Sequence, residues 1–94
     1  MNIKIARLVT GDDVIADILE YKDSYRFKKP VKIVFTERGL GMMPLSPLLA
    51  DDEVVIHGSH ILFIGAVEPD LANEYNAKFG NGLVVPSPTI TLSE

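Results

Sequence analysis

Cysteine and tryptophan are absent from this chain of 94 residues, and histidine occurs only twice. Without cysteine there is no disulfide framework, no zinc–thiolate centre and no thiol nucleophile. A reducing compartment, the cytoplasm, is the expected setting. Long hydrophobic runs are missing too: none approaches the roughly 18–20 residues that a bilayer-spanning helix needs. The N-terminal MNIKIARLV lacks the apolar core and small-residue cleavage site of a secretory signal, so no membrane partner is expected. Neither GxGxxG nor a P-loop occurs. Ser46, Ser59 and Ser87 stand outside any Gly-x-Ser-x-Gly elbow. No catalytic residue, no enzymatic activity and no cofactor are expected.

Two features bear on metal binding. His57-x-x-His60 would place two imidazoles on one face of a helix, but Gly58 and the β-branched flanks point to strands, and no third ligand stands at a metal-site spacing. Asp12-Asp13 and Asp51-Asp52-Glu53 lack the EF-hand spacing. The expectation is no metal.

What is present is apolar residue in quantity, 47% of the chain. That suits one small folded domain, of a size at which a second subunit often helps to bury apolar surface. The net charge of −4 is unevenly spread: residues 1–40 carry a net of +2 and residues 41–94 a net of −6. Lys22, Arg26, Lys28, Lys29 and Lys32 fall close together with Asp23 as the one acid among them. Such a patch is either an anion footprint or a solvated strand edge guarded by lysines.

Period-2 alternation marks strands at Ile3/Ile5, at Val14/Ala16/Ile18, at Tyr25/Phe27 and at Val31/Ile33/Phe35. Turns are expected at Gly11-Asp12-Asp13 and Glu37-Arg38-Gly39, and a bulge, bend or edge at Pro30. LGMMPLSPLL (residues 40–49) reads as a short irregular strand running into the acidic loop 50–53. VVI and ILFIGAV make two further strands around His57-Gly58-Ser59-His60. At Glu68-Pro69-Asp70 the pattern changes to a helix start. Leu71, Tyr75 and Phe79 share one helical face, Glu74 and Lys78 form an i, i+4 pair, and Gly80 is the expected stop, which gives a helix over about 70–79. Residues 1–80 are expected to form the domain. Residues 81–94 are read as a flexible tail, or as an edge strand at Leu83-Val84-Val85. Tyr25 and Phe27 alternate within the basic cluster, where rings beside cations serve either single-stranded nucleic acid or simply the core.

Val54-Val55-Ile56-His57-Gly58-Ser59-His60-Ile61-Leu62-Phe63-Ile64 resembles the second half of the Sm-like (LSm) signature, an apolar strand, Ile-Arg-Gly-x-x-Ile/Val and a second apolar strand, with His57 in the arginine position. Leu8-x-x-Gly11-x-x-Val14-x-Ala16-x-Ile18 echoes the first half, with Ala16 for a usual glycine. Asp23-x-Tyr25 is similar to part of the family's RNA loop, with Phe27 where asparagine is usual. Thr10-Gly11-Asp12 and Pro44-Leu45-Ser46-Pro47 resemble short Sm-like proteins of marine cyanobacterial phages, which would place the chain in a host cytoplasm. The resemblance implies a small, strongly bent five-stranded barrel, here all-β with one added C-terminal helix, assembling into a homo-oligomeric ring. It also implies binding of RNA or other single-stranded nucleic acid. Tyr25 and His57 would meet bases, the backbone of Gly58 and Ser59 would offer hydrogen bonds, and Lys28 and Lys29 would meet phosphates. Gly58 is expected for positive φ and close approach to a ligand. The alternative is a ring-shaped protein-interaction scaffold without RNA, which the acidic balance and Phe27 favour.

Overall fold

In the computed structural model residues 2–79 are described. The expected helix stop at Gly80, the tail 81–94 and the edge strand at Leu83-Val84-Val85 lie outside the described residues. The alternating segments become strands β1 (Ile3–Leu8), β2 (Asp13–Tyr21), β3 (Ser24–Thr36), β4 (Gly39–Pro44), β5 (Glu53–His57) and β6 (Ile61–Ala66), followed by helix α1 (Pro69–Phe79). All pairings are antiparallel. The sheet runs β4-β3-β2-β1-β6, and β5 pairs with β3 off that path. The mostly-β fold with a helix after the strands is therefore as expected, with six strands among the described residues in place of five. No helix among the described residues is long and apolar enough to cross a membrane.

Among the described residues the sheet is not closed, because β5 and β6 pair with β3 and β1 and not with each other. The two strands expected around His57–His60 form, but they do not make a hairpin: a 3-10 turn over Gly58–His60 carries the chain from one side of the sheet to the other. The tight hairpins lie elsewhere. β2 and β3 meet across Lys22-Asp23, with Tyr21 opposite Ser24 and Lys22 at φ 58°. β3 and β4 meet across Glu37-Arg38, where Gly39 takes φ 117°, a conformation that suits glycine.

Pro30 marks the bend, as its missing N–H requires. Ile15 pairs with Val31, and Asp17 with Lys28, so β3 holds one residue more than β2 across this interval. Lys29, at φ 54°, absorbs the difference. A bulge of this kind reverses the side-chain parity of a strand. Tyr25 and Phe27 before it face inward; Val31 and Ile33 after it face the opposite side. The bend also changes the outer neighbour of β3: residues 24–28 pair with β5, and residues 31–36 pair with β4.

Two apolar clusters result, one on each face. Inside the bent sheet lie Ala6, Leu8, Val14, Ala16, Ile18 and Phe27, with Tyr25, Leu45, Val54, Ile56, Ile61 and Ile64 around them. On the outside Ile15, Val31 and Tyr75 are buried among Ile3, Ile5, Ile33, Leu71 and Phe79. Helix α1 thus docks its Leu71/Tyr75/Phe79 stripe on the sheet. Each large side chain buried this way is worth about 1.5–3 kcal/mol, which offsets the intrinsic weakness of a three-turn helix. Glu68 Oε1 accepts from the N–H groups of Asp70 and Leu71 (3.0 and 3.2 Å), capping the first turn, and Lys78 reaches Glu74 at 3.0 Å. Tyr75 Oη donates to the carbonyl of Lys29 at 2.8 Å, fastening the helix to the bulge. The buried phenol is pushed up to about 12, first by burial and then by the charges of Asp17 and Asp52.

Candidate nucleic-acid interface

The 3-10 turn packs against the β2–β3 turn. Gly58 N–H donates to the carbonyl of Asp23 at 2.8 Å, while Ser24 lies opposite His57 and Tyr25 opposite Ile56. A Cβ on Gly58 would stand 3.2 Å from Asp23 O and 3.4 Å from Tyr25 Cε1. Close approach is the reason for glycine here. Positive φ is not, because Gly58 is not among the positive-φ residues, which among the described residues are Gly11, Lys22, Lys29 and Gly39. That part of the expectation is corrected: a 3-10 turn keeps φ in the ordinary helical range.

The corner consumes its own backbone. Besides the Gly58–Asp23 bond, Ser59 N–H donates to His57 Nδ1 at 3.1 Å and Ile61 N–H donates to Gly58 O. The N–H groups of Gly58 and Ser59, expected to face a ligand, are taken. Side chains are what the corner presents. His57, Ser59 and His60 are all exposed. Ser59 Oγ lies 2.9 Å from His57 Nδ1, and the imidazole rings of His57 and His60 are 6.1 Å apart. Since Nδ1 accepts from a backbone N–H, the proton of neutral His57 resides on Nε2, which points away from these partners as a donor.

The expected site residues divide into three groups. His57, Gly58 and Ser59 come together in the turn. Tyr25 is their neighbour, but it leans into the interior cluster beside Phe27, which is fully buried. Lys28 and Lys29 lie four and five residues along β3 from Ser24, about 13 Å or more away at strand spacing. There Lys28 faces Asp17 on one side and Glu53 on the other, and Lys29 N–H donates to Asp52 O at 2.6 Å. Arg26 is bound to Glu53 at 2.7 Å. The basic patch of the sequence is thus interleaved with acids from β2 and from the 51–53 loop.

A cleft of about 420 Å³ opens between that loop and the end of α1, lined by Pro30, Leu45, Pro47, Asp52 and Phe79 among others. No group of three or more His, Asp or Glu among the described residues could hold a metal ion. Beside Lys22 of the basic patch, the corner holds Tyr21, which the sequence did not single out. Tyr21 is 65% exposed, and the Lys22 ammonium lies 5.9 Å from its ring centroid. The signal was available: if Val14, Ala16 and Ile18 face inward, Leu19 and Tyr21 on the opposite parity face outward. No known family model matches this chain, and none of the curated proteins does.

Proposed function

We propose that this chain is a non-catalytic, self-assembling Sm-like protein that binds RNA or another single-stranded nucleic acid in the cytoplasm, that of a host cell if the chain is of phage origin. The observation that carries the reading is the corner itself. A glycine pressed against the β2–β3 turn holds His57, Ser59 and His60 exposed together. Imidazoles and tyrosines offer faces on which unpaired bases stack. His57 Nε2 supplies a donor, Tyr25 underlies the turn, and Lys28 meets the phosphates of a strand that follows β3.

Assembly into a ring follows the edges. Among the described residues β5 pairs only with β3 and β6 only with β1, which leaves each with a free edge. Val55 and Leu62, each 60% exposed, lie on these two strands. Pairing β5 of one copy with β6 of the next satisfies both edges and closes when the rotation is right.

Native mass spectrometry of protein purified from cells tests both halves at once, reporting a closed homo-oligomer and any nucleic acid it carries. Fluorescence anisotropy with short oligonucleotides then should show tight binding at low salt that weakens steeply as salt is added, with His57→Ala binding roughly tenfold more weakly. Absent or salt-independent binding would remove the nucleic-acid reading, and an unchanged His57→Ala variant would take the site away from the corner. The second reading, a ring-shaped scaffold for other proteins, is favoured by the ion pair of Arg26 with Glu53 and by the place of Lys28 between Asp17 and Glu53. It predicts oligomers that purify free of nucleic acid.

A further inference from the structure

The register places three rows of side chains on the outer face of β2, β3 and β5, next to the area that α1 covers. Tyr21, Ser24 and His57 form the row nearest the corner. Leu19, Arg26 and Val55 form the next, and Asp17, Lys28 and Glu53 the last. Paired residues of an antiparallel sheet share a face, and the exposure of the first two rows agrees: Tyr21, Arg26, Val55 and His57 are all exposed. Tyr25, one position from Ser24, is on the opposite face, packed against the core.

Resting on the nucleic-acid reading above, we infer that a single strand crosses this outer face, with one base on the Tyr21 ring, the next against His57, and its phosphates at Lys22 and Arg26. Three features favour that ligand. Tyr21 and His57 flank Ser24 on adjacent strands, so their backbones are about 10 Å apart, room for two separated bases with the Ser24 hydroxyl between them. The Lys22 ammonium lies over the Tyr21 ring, 5.9 Å from its centroid, and a base that stacks on that face displaces it towards the base's own phosphate. The charge along the face is graded: Asp17 and Glu53 outweigh Lys28 in the far row, Arg26 in the middle row engages Glu53 but keeps about half of its side chain exposed, and at the corner Lys22 offsets Asp23. The aromatic end of the face is thus its less acidic end. Tyr21, and not Tyr25, is the stacking tyrosine.

The test is anisotropy with fluorescent oligouridylate and oligoadenylate, using the full chain and its Tyr21→Leu and Tyr21→Phe variants, together with mapping of photo-crosslinked peptides. Both substitutions are at an exposed site and keep the fold. Tyr21→Leu should bind tenfold or more weakly, Tyr21→Phe should bind like the parent, and crosslinks should fall in the peptides holding Tyr21 and His57. If the parent binds but Tyr21→Leu binds equally well, or crosslinks fall only elsewhere, the outer-face path is wrong while the nucleic-acid reading stands. If the parent binds neither oligonucleotide at low salt, both fall and the scaffold reading remains.

Discussion

At Gly58 a methyl group would have to fit 3.2 Å from a backbone oxygen and 3.4 Å from a tyrosine ring. The oxygen belongs to the β2–β3 turn and cannot swing aside as a side chain would. Gly58→Ala should therefore cost about 1–2 kcal/mol, the price of crowding less the few tenths gained by stiffening the unfolded chain. Urea denaturation checks this, and an unchanged midpoint would mean that the two turns do not hold each other. The need for glycine was legible in the run His57-Gly58-Ser59-His60, but the reason for it was not. Sequence suggested a left-handed turn, whereas the constraint comes from Asp23, far away in the chain. Similarly, the alternation of Tyr25 with Phe27 showed that the two share a face but not which face is the inside. Only the pairing with β5, whose Val54 and Ile56 pack beside them, decides it.

Helix α1 was the most legible element, because its apolar residues recur at i, i+4 and i+8 and its start carries Glu68-Pro69. Its landing place was hidden. It depends on the parity switch at Lys29, and a lysine at φ 54° leaves no mark in the sequence beyond the neighbouring proline. Tyr75 ties the two together through Lys29 O, and removing that hydroxyl in Tyr75→Phe should cost about 1 kcal/mol. The same phenol makes the element sensitive to alkali. Its pKa in the folded chain is raised to about 12 from an ordinary value of 10, so the unfolded chain releases this proton first. The stabilisation is whole below pH 10 and is lost as pH rises from there toward 12. Tyr75→Phe should lose less stability over that interval than the parent, as followed by denaturant titrations at several alkaline pH values; parallel losses would show that the phenol is not responsible.

For the whole molecule, β5 and β6 each have one strand neighbour among the described residues, and Val55 and Leu62 lie exposed on them, which is where the proposed ring would join its copies. Leu62→Glu places a charge in the proposed seam without touching either core. Sedimentation velocity should then show protomers in place of rings, with the β-rich circular dichroism spectrum kept; an intact oligomer would move the interface elsewhere. The six strands also impose an order on synthesis. Tyr21 and Ser24 meet across two residues, whereas Ala6 must wait for Ile64 before β1 has its second neighbour. Closing so long a loop is entropically slow compared with forming the local hairpin. A chain emerging from a ribosome can therefore fold β2 onto β3 early, but it carries β1 with one open flank until translation has passed Ala66.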